Sequence, residues 1–218
     1  METIKNIKLL AILFIGLIAF VSCSDDDDTV PMPETISELA VATPDLSNLV
    51  AALTRANLVE TLDAPGNYTV FAPTNAAFSA FLSANNFASV NDVPVNVLTQ
   101  VLLNHVIAEE LPAASLTTGY KNTLASYADS DLNLSMFINT SGGVKLNGVS
   151  NVVSPNIEAT NGVIHVVDAV IGIPTVVTFA TADPTFSTLV SALTTLTPAT
   201  DFVSILSDTE AAFTVFAP

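Results

Sequence analysis

Apolar residues in the first half of the chain recur at the spacing of helices. A helix is predicted to open at Thr43 and Pro44, because proline is favoured in a first helical turn. Its apolar face consists of Leu46, Leu49, Val50 and Leu53. A second apolar helix is predicted over 93–107. Between the two, the apolar run 68–73 predicts a short buried strand that ends at Pro73.

After Pro112 the pattern changes to runs that alternate or are continuously apolar, as strands do. Pairs of turn-forming residues interrupt these runs, and each pair is a turn or hairpin signal. The pairs are Gly142-Gly143, Asn147-Gly148 and Asn161-Gly162. Helices that precede a block of strands predict the α+β class, because a doubly wound parallel sheet would require strands and helices to alternate.

Two stretches of the sequence occur twice. "SNLVAALT" at 47–54 returns as "STLVSALT" at 187–194, an offset of 140 residues. "YTVFAP" at 68–73 returns as "FTVFAP" at 213–218, an offset of 145 residues. The chain is therefore expected to hold one complete repeat unit and the opening of a second.

We place the complete unit at 34–174 and the incomplete second unit at 175–218. The second unit is expected to contain a pair of helices and one strand. Because the sheet partners of that strand would follow Pro218, we expect the chain to be a fragment or a truncated product. An apolar strand without partners is an aggregation hazard. Because its partners are missing, this segment is expected to be poorly packed or to pack against the first unit.

The composition is that of a folding chain with a strong acidic excess. Half of the 218 residues are hydrophobic and 12% are charged, which excludes charge-driven disorder for most of the chain. Five Lys and Arg stand against 21 Asp and Glu, which gives a formal net charge of -16. Such a charge repels phosphate backbones, so nucleic acid is excluded as a partner.

The first residues have the pattern of a secretion signal. Lys5 and Lys8 precede an apolar stretch at 9–21, which is too short to span a bilayer comfortably. A signal peptide is therefore predicted at 1–22, and a permanent transmembrane helix is the weaker interpretation. Cys23 follows directly and is the only cysteine, so no intramolecular disulfide can form.

Cys23 closes the stretch "FVSC", which resembles a bacterial lipobox and implies a lipid-modified cysteine. A buried thiol is the alternative. The acidic run "SDDDD" and the prolines behind it predict a solvated tether over 23–33. The run also resembles the signal that sends lipoproteins of Bacteroidetes-type bacteria to the outside of the outer membrane. The predicted location is therefore the outer membrane, on the cell surface.

Three motifs, in order along the chain, resemble those of fasciclin-type FAS1 domains. They are "YTVFAPTNAAF" at 68–78, "LLNHVI" at 102–107 and "NGVIHVVDAVIGIP" at 161–174. The resemblance implies a wedge of two β-sheets flanked by a helical bundle, usually in tandem copies on secreted or surface-anchored proteins. It also implies a role in cell adhesion or matrix contact, without a catalytic site.

The motif residues are expected to serve mainly the structure. Thr74 is the expected N-cap of a helix, and Asn75 is expected to hold backbone at the corner between strand and helix. Gly162 is expected to supply a positive φ. The full set is Thr69, Phe71, Pro73, Thr74, Asn75, Phe78, His105, Asn161, Gly162, His165 and Asp168.

His105 and His165 are the only histidines, and a catalytic role would require a polar pocket. The stretch "VIHVVD" instead places His165 in an apolar strand. We expect a buried neutral ring that is bonded to backbone or to a carboxylate such as Asp168. His105 follows Asn104, where many FAS1 domains carry the Tyr of a Tyr-His pair implicated in integrin contact, so this route to integrin is not expected.

No catalytic residue, cofactor or metal is predicted. Two histidines without a cysteine partner make a poor zinc site. Asp129 and Asp131 could take calcium, but a solvated turn is the preferred interpretation. Tryptophan is absent, which weakens a sugar-stacking platform, although Tyr68, Tyr120 and Tyr127 remain available.

These observations predict a non-enzymatic, lipid-anchored adhesion or extracellular binding module on the cell surface. The alternative is a glycan- or partner-binding component of an envelope complex that captures polysaccharide. The membrane is reached through the lipid, and the ligand is expected to be a protein, a matrix component or a glycan.

Overall fold

In the part of the chain that the structure describes, helices come first, most of the strands follow, and further helices come after them. The computed structural model describes residues 34–127, 130–196, 199–208 and 211–217. The predicted signal peptide, lipidation site and tether, residues 1–33, lie outside these ranges. The mixed class of helices and strands predicted from the pattern is confirmed.

The helices and strands of the described residues have the following bounds. The helices are α1 (Ile36–Ala42), α2 (Ser47–Arg55), α3 (Val59–Asp63), α4 (Asn75–Ala84), α5 (Val95–Leu103), α6 (Val176–Ala182), α7 (Ser187–Thr194) and α8 (Phe202–Leu206). The strands are β1 (Tyr68–Pro73), β2 (Val106–Ile107), β3 (Gly119–Ser126), β4 (Asn133–Asn139), β5 (Lys145–Leu146), β6 (Ser150–Ala159) and β7 (Gly162–Val167).

The strands bond in one continuous order of seven, and the wedge of two sheets implied by the resemblance stays a prediction. The order is β2-β1-β7-β6-β5-β4-β3, in which β1 and β7 are parallel and the other pairs are antiparallel. The long strand β6 makes the order continuous, because its first residues pair with β5 and the remainder pairs with β7. Register shifts on either side of Ser154 interrupt the pairing with β7, as β-bulges do.

The side chains of β1 alternate between two hydrophobic clusters, as the period of a strand requires. Val70 and Ala72 pack with the helices α1 to α5 in the first cluster. Phe71 points the other way and packs in a second cluster with residues of β4, β5 and β7. β1 and β7 therefore lie between both clusters, and the predicted burial of the strand 68–73 is confirmed at Val70 and Phe71.

The helix predicted over 93–107 is shorter than expected. It ends at Leu103, and Val106 and Ile107 form β2 instead, where they pair with Val70 and Thr69 of β1. The apolar residues at the end of the run suit either a helix or a buried strand. Pairing with β1 decides in favour of the strand.

Residues 175–217 repeat the opening helices of the first unit but not its first strand. The helices α6, α7 and α8 stand where α1, α2 and α3 stand in the first repeat. No strand forms over 211–217, although "FTVFA" was predicted to be one, and Phe216 is 93% exposed. In the first unit the equivalent residues pair with β2 and β7, whereas no strand in the described residues pairs with 211–217.

In the described part of the chain, no single helix is long and apolar enough to cross a membrane. The pair Val176–Ala182 and Pro184–Thr194, which is bent by 97°, reaches that length and composition only when the two are taken together.

Candidate functional site

The first signature forms the corner between β1 and α4. Thr74 is the N-cap of α4, as predicted, because its hydroxyl accepts a hydrogen bond of 3.2 Å from the backbone N–H of Ala77. Asn75 reaches across to the start of α2, where its Nδ2 donates to the carbonyl of Pro44 at 3.0 Å and its Oδ1 accepts from the N–H of Asn48 at 2.9 Å. Asn75 thus ties two helix starts together, and its amide is used for structure.

Asn161, at the start of the third motif, joins three segments of the chain. Its Oδ1 accepts from the N–H of Ile36 at 3.0 Å, and its Nδ2 donates to the carbonyls of Leu62 and Ala64 at 2.7 and 3.0 Å. The residue is 4% exposed. The sequence predicted a turn residue and a motif residue with a structural role, but it did not predict the bonding partners, which lie up to 125 positions away.

Gly162 follows at the point where β7 approaches β1 most closely. Its φ is +149°, which confirms the predicted positive φ. A Cβ on this glycine would lie 2.0 Å from the carbonyl oxygen of Tyr68, its neighbour in the parallel pair of strands. Only glycine fits at this position, for a steric reason as well as a conformational one.

His105 is a buried residue at the end of α5 whose two ring nitrogens both have backbone partners. Nδ1 donates to the carbonyl of Val101 at 2.7 Å, and Nε2 accepts from the N–H of Ile171 at 2.9 Å. These roles fix the neutral tautomer that carries its proton on Nδ1. Burial lowers the pKa of His105 to about 4, and the bond to Val101 offsets this only partly.

His165 lies in β7 with its ring stacked on that of Phe71 at a centroid distance of 5.6 Å. Its Nε2 donates to the carbonyl of Leu111 at 2.9 Å, and its Nδ1 accepts from the N–H of Asn156 at 3.2 Å. Burial lowers the pKa of His165 as well. Of the two kinds of partner predicted for His165, backbone and carboxylate, the structure shows backbone.

Asp168 bonds to Asn151 instead of His165. Its two carboxylate oxygens accept from the backbone N–H and the side-chain amide of Asn151 at 2.7 and 2.8 Å. Burial acts to raise the pKa of Asp168, but these bonds and the charge of Lys145 outweigh it and hold the pKa below its ordinary value. Asp168 therefore fastens the start of β6 to the end of β7.

The remaining motif residues are also placed in the scaffold. Thr69 donates to the carbonyl of Glu109 at 2.6 Å and accepts from the N–H of Leu111 at 2.8 Å. Phe71 and Phe78 are almost fully buried, and Pro73 ends β1. Within the described residues, no group of three or more His, Cys, Asp or Glu could hold a metal ion. Asp131 is exposed, and Asp129 lies outside those residues.

An open groove lies between the two edge strands of the sheet. It has a volume of about 420 Å³ and is lined by residues 107–109, by residues 120–124 of β3 and by Asn133. Lys121 and Glu109 both line it and form an ion pair, with Nζ and Oε2 2.6 Å apart and with side chains that are 35% and 51% exposed. We call this feature the edge groove. Sequence reasoning did not identify it.

Tyr120 is one of the residues that line the edge groove, but its side chain lies on the face of β3 opposite that of Lys121 and contacts α6. Its ring lies against Phe137 and meets Phe179 edge-on, with centroid distances of 4.9 and 5.6 Å. The residue as a whole remains 46% exposed. Among the three tyrosines considered for sugar stacking, Tyr120 alone lines this groove; Tyr127 is exposed elsewhere and Tyr68 packs against the first cluster.

A family model described as the fasciclin domain matches residues 44–174. Protein sll1483 of Synechocystis sp. (strain ATCC 27184 / PCC 6803 / Kazusa) is 39% identical over 137 residues, which cover 63% of this chain and 72% of that protein. The uncharacterized protein sll1735 of the same organism is 37% identical over 140 residues, or 64% of this chain and 98% of that protein.

A more distant relative is the immunogenic protein MPB70 of Mycobacterium bovis (strain ATCC BAA-935 / AF2122/97), which is 30% identical over 145 residues, or 63% of this chain and 68% of that protein. Among solved structures, a FAS1 domain pair from the insect cell adhesion molecule Fasciclin I aligns with a TM-score of 0.50 and 20% identity. The alignment covers 75% of this chain and 56% of that chain. At this identity the similarity shows a shared fold.

Proposed function

This chain belongs to the fasciclin domain family, and from that premise we propose that it is a non-enzymatic adhesion or extracellular binding module, held to the outer membrane by a lipid on Cys23. The name of the insect protein with the shared fold, a cell adhesion molecule, supports the adhesion role. The net charge of -16 favours neutral or basic partners, namely proteins, matrix components or glycans.

The burial of both histidines is the observation that carries this proposal. Each ring is held in one neutral tautomer by backbone partners on both nitrogens, so neither imidazole is free to move a proton to or from a substrate. The family motifs around them fasten helices to strands. The module therefore acts by presenting a surface, and the edge groove is the concave part of that surface.

The N-terminal residues supply the attachment in this proposal. Residues 1–22 direct export, Cys23 carries the lipid, and the acidic tether 23–33 spaces the domain from the membrane. Several acyl chains on one residue exceed the two signals that stable anchoring requires. Residues 175–217 are proposed to open a second fasciclin unit, as the repeat and the matching helices α6 to α8 support.

The anchoring and the location are tested with the full chain expressed in a Bacteroidetes host. We expect palmitate incorporation that depends on Cys23, processing that globomycin blocks, and digestion of the domain by protease added to intact cells. The variant Cys23→Ala should lose the label, and Ser22→Ala should retain it as the matched control. Digestion only after lysis would contradict the surface location, and globomycin-insensitive processing would contradict the lipid.

The adhesion role is tested with cells that display the protein on their surface. Their attachment is measured on surfaces that are coated with matrix proteins or with other cells. Display should raise attachment above that of the same cells with an empty vector, and soluble protein should compete. Attachment that is unchanged by display and by competitor would contradict the adhesion role.

A second candidate function is favoured by the open edge groove. In this case the protein is the glycan- or partner-binding component of an envelope complex that captures polysaccharide. The two candidates differ in their ligand, since adhesion requires a protein or matrix ligand and capture requires a sugar. A pull-down with the full chain against matrix proteins and against polysaccharides separates them.

A further inference from the structure

We propose that Phe179 and Asp183 fix the orientation of the second unit on the first. They do so by contact with a surface of the first unit that consists of Tyr120, Phe137 and Gly148, which we call the docking surface. An opening helix without this pair would not be held there, so the pair also decides which unit can follow the first. The inference rests on the proposal of a second fasciclin unit, and it names how the two units are joined.

The docking surface is one continuous part of the first unit. Tyr120 of β3 and Phe137 of β4 stand directly opposite each other in the antiparallel ladder, with ring centroids 4.9 Å apart. The backbone N–H of Asn147 donates to the carbonyl of Phe137 at 2.8 Å, and its Oδ1 accepts from the N–H of Phe137 at 2.7 Å. Gly148 is the next residue of this turn, so the aromatic pair and the turn are held together.

Residues on one side of α6 meet this surface. Phe179, Ala182 and Asp183 are three and four positions apart, so they project from the same side of the helix and its end. The ring of Phe179 meets that of Tyr120 edge-on, and the carboxylate of Asp183 accepts from the Tyr120 hydroxyl at 2.9 Å. Ala182 lies close to the turn, because a Cβ on Gly148 would be 3.1 Å from the Cβ of Ala182.

The other side of α6 packs on the remaining helices of the second unit. Together with residues of α7 and α8, four residues of α6 line an apolar groove, and they are Val176, Val177, Ala180 and Thr181. Ala180 is 7% exposed. Because α6 lies between the docking surface and the other two helices, a fixed position of α6 also fixes the positions of α7 and α8.

The connection between the two units is held by separate contacts. Ile171 is buried, and its N–H donates to Nε2 of His105 at 2.9 Å. The Nδ2 of Asn104 donates to the carbonyl of Gly172 at 3.0 Å. The short stretch 173–175 joins these bonded residues to the start of α6. The second unit is therefore held at two places, at its connection and along α6.

The opening helix of the first unit lacks the proposed pair. The positions of α6 that face α7 and α8 are apolar in α1 as well, where they are buried in the first cluster. Phe179 and Asp183, in contrast, correspond to Leu39 and Thr43. Leucine has no aromatic ring to meet Tyr120, and threonine has no carboxylate to accept from its hydroxyl. The two repeats thus differ on the side that meets the docking surface, which assigns the pair to the contact between units.

The test uses the full chain, purified without its lipid, and measures residual dipolar couplings of backbone amides in a dilute aligned medium. We expect the couplings of 34–174 and of 176–194 to fit one alignment tensor. The variant Phe179→Leu/Asp183→Thr carries the residues of the first repeat, and the couplings of 176–194 should fall at least about twofold as α6 is released. Hydrogen exchange of 176–182 should become at least about tenfold faster.

Tyr120→Ala removes the other side of the contact without a change in the sequence of the second unit, and it should have the same effect. Tyr127→Ala, which replaces an exposed tyrosine, is the matched control and should leave the couplings unchanged. Asp183→Asn keeps an oxygen that can accept from the Tyr120 hydroxyl, so it should retain most of the order. The Cα chemical shifts of 187–194 should stay helical in Tyr120→Ala, which distinguishes release of the helix from unfolding.

Two results would overturn the inference. One is a separate alignment tensor for 176–194 in the original chain, which would mean that the second unit is not held. The other is a single shared tensor in Tyr120→Ala, which would mean that the docking surface does not hold it. Failure of the proposed function is a different result, because cells that display the original chain would then show no added attachment, whatever the couplings are.

Discussion

The hydroxyl of Tyr120 donates a hydrogen bond of 2.9 Å to a carboxylate oxygen of Asp183, and this bond joins β3 to the residue that follows α6. Burial, and after it the hydrogen bond and negative charge of Asp183, raise the pKa of Tyr120 to about 12, so the hydroxyl keeps its proton at neutral pH. In the first repeat, Leu39 and Thr43 stand where α6 and its following residue have Phe179 and Asp183. The contact is therefore specific to the second unit.

Tyr120→Phe is expected to loosen α6 without unfolding the first unit. The substitution keeps the ring contact with Phe179 but removes the bond to Asp183, a loss of about 1 kcal/mol at most for an interaction near the surface. Hydrogen exchange of the peptide 176–182, followed by mass spectrometry, should become up to about fivefold faster. Tyr127→Phe, an exposed tyrosine, is the control. Equal exchange rates in both variants would show that the hydroxyl does not hold α6.

Asn161→Ala is expected to destabilise the first unit strongly. It leaves the buried N–H of Ile36 without its acceptor and removes the donors to two carbonyls. An unsatisfied buried group costs about 1–3 kcal/mol, so a total loss of roughly 3 kcal/mol or more is expected. The measurement is the free energy of unfolding in urea.

Asn96→Ala provides the baseline for that measurement. Asn96 is an exposed residue on α5, and its replacement should change the free energy of unfolding by less than about 0.5 kcal/mol. If the two alanine variants were equally stable, the three bonds of Asn161 would contribute nothing net to folding.

Local signals allowed the corner at Thr74 and the turn at Gly162 to be predicted from the sequence. A threonine that precedes an apolar helix and a glycine between two strand-like runs have the same meaning in any fold. The order of helices before strands was predicted for the same reason, since each period is visible within about ten residues. The mixed class and the family followed from these signals and from the three motifs.

Contacts between distant segments were not predictable from one sequence. Asn161 bonds to a residue 125 positions away, and nothing near it in the chain indicates that partner. The edge groove is lined by residues of β2 and β3, which the strand order makes the two terminal strands. The local pattern did not indicate the order of the strands. It also predicted that the helix α5 would include the two residues that in fact form β2.

Stability is expected to fall as the pH drops from 7 towards 4, because both buried histidines resist protonation. The unfolded chain binds protons on its histidines below about pH 6.5, whereas folded His105 does so only near its lowered pKa of about 4. The contribution of neutral His105 to the free energy of unfolding is therefore complete above pH 6.5, and it is lost as the pH falls from 6.5 towards 4. The difference for His105 corresponds to about 3 kcal/mol, and the lowered pKa of His165 adds in the same direction.

Urea unfolding at several pH values between 7.5 and 5 measures this slope, which should correspond to the uptake of one to two protons on unfolding. The lowered pKa values of Asp63, Asp168 and Asp183 affect stability only at more acidic pH, near and below about 4. The NMR signals of the His105 ring should keep their neutral positions down to pH 5, and those of His165 should titrate below the ordinary histidine pKa. A free energy of unfolding that is flat across this range would contradict the assignment of two neutral, fully bonded rings.

Gly162 and Gly119 separate the two reasons for which a glycine is required. Their φ angles are nearly equal, +149° and +154°, so alanine meets a similar conformational strain at both positions. A Cβ at Gly162 would lie 2.0 Å from the carbonyl oxygen of Tyr68, whereas a Cβ at Gly119 would have no atom within 4 Å.

Gly119→Ala should cost about 1–2 kcal/mol of unfolding free energy, the cost of strain alone. Gly162→Ala should cost at least about 2 kcal/mol more or prevent folding, because β7 must move away from β1. Thermal or urea unfolding of both variants measures the difference, and equal losses would show that close packing of the parallel strands is not what requires Gly162.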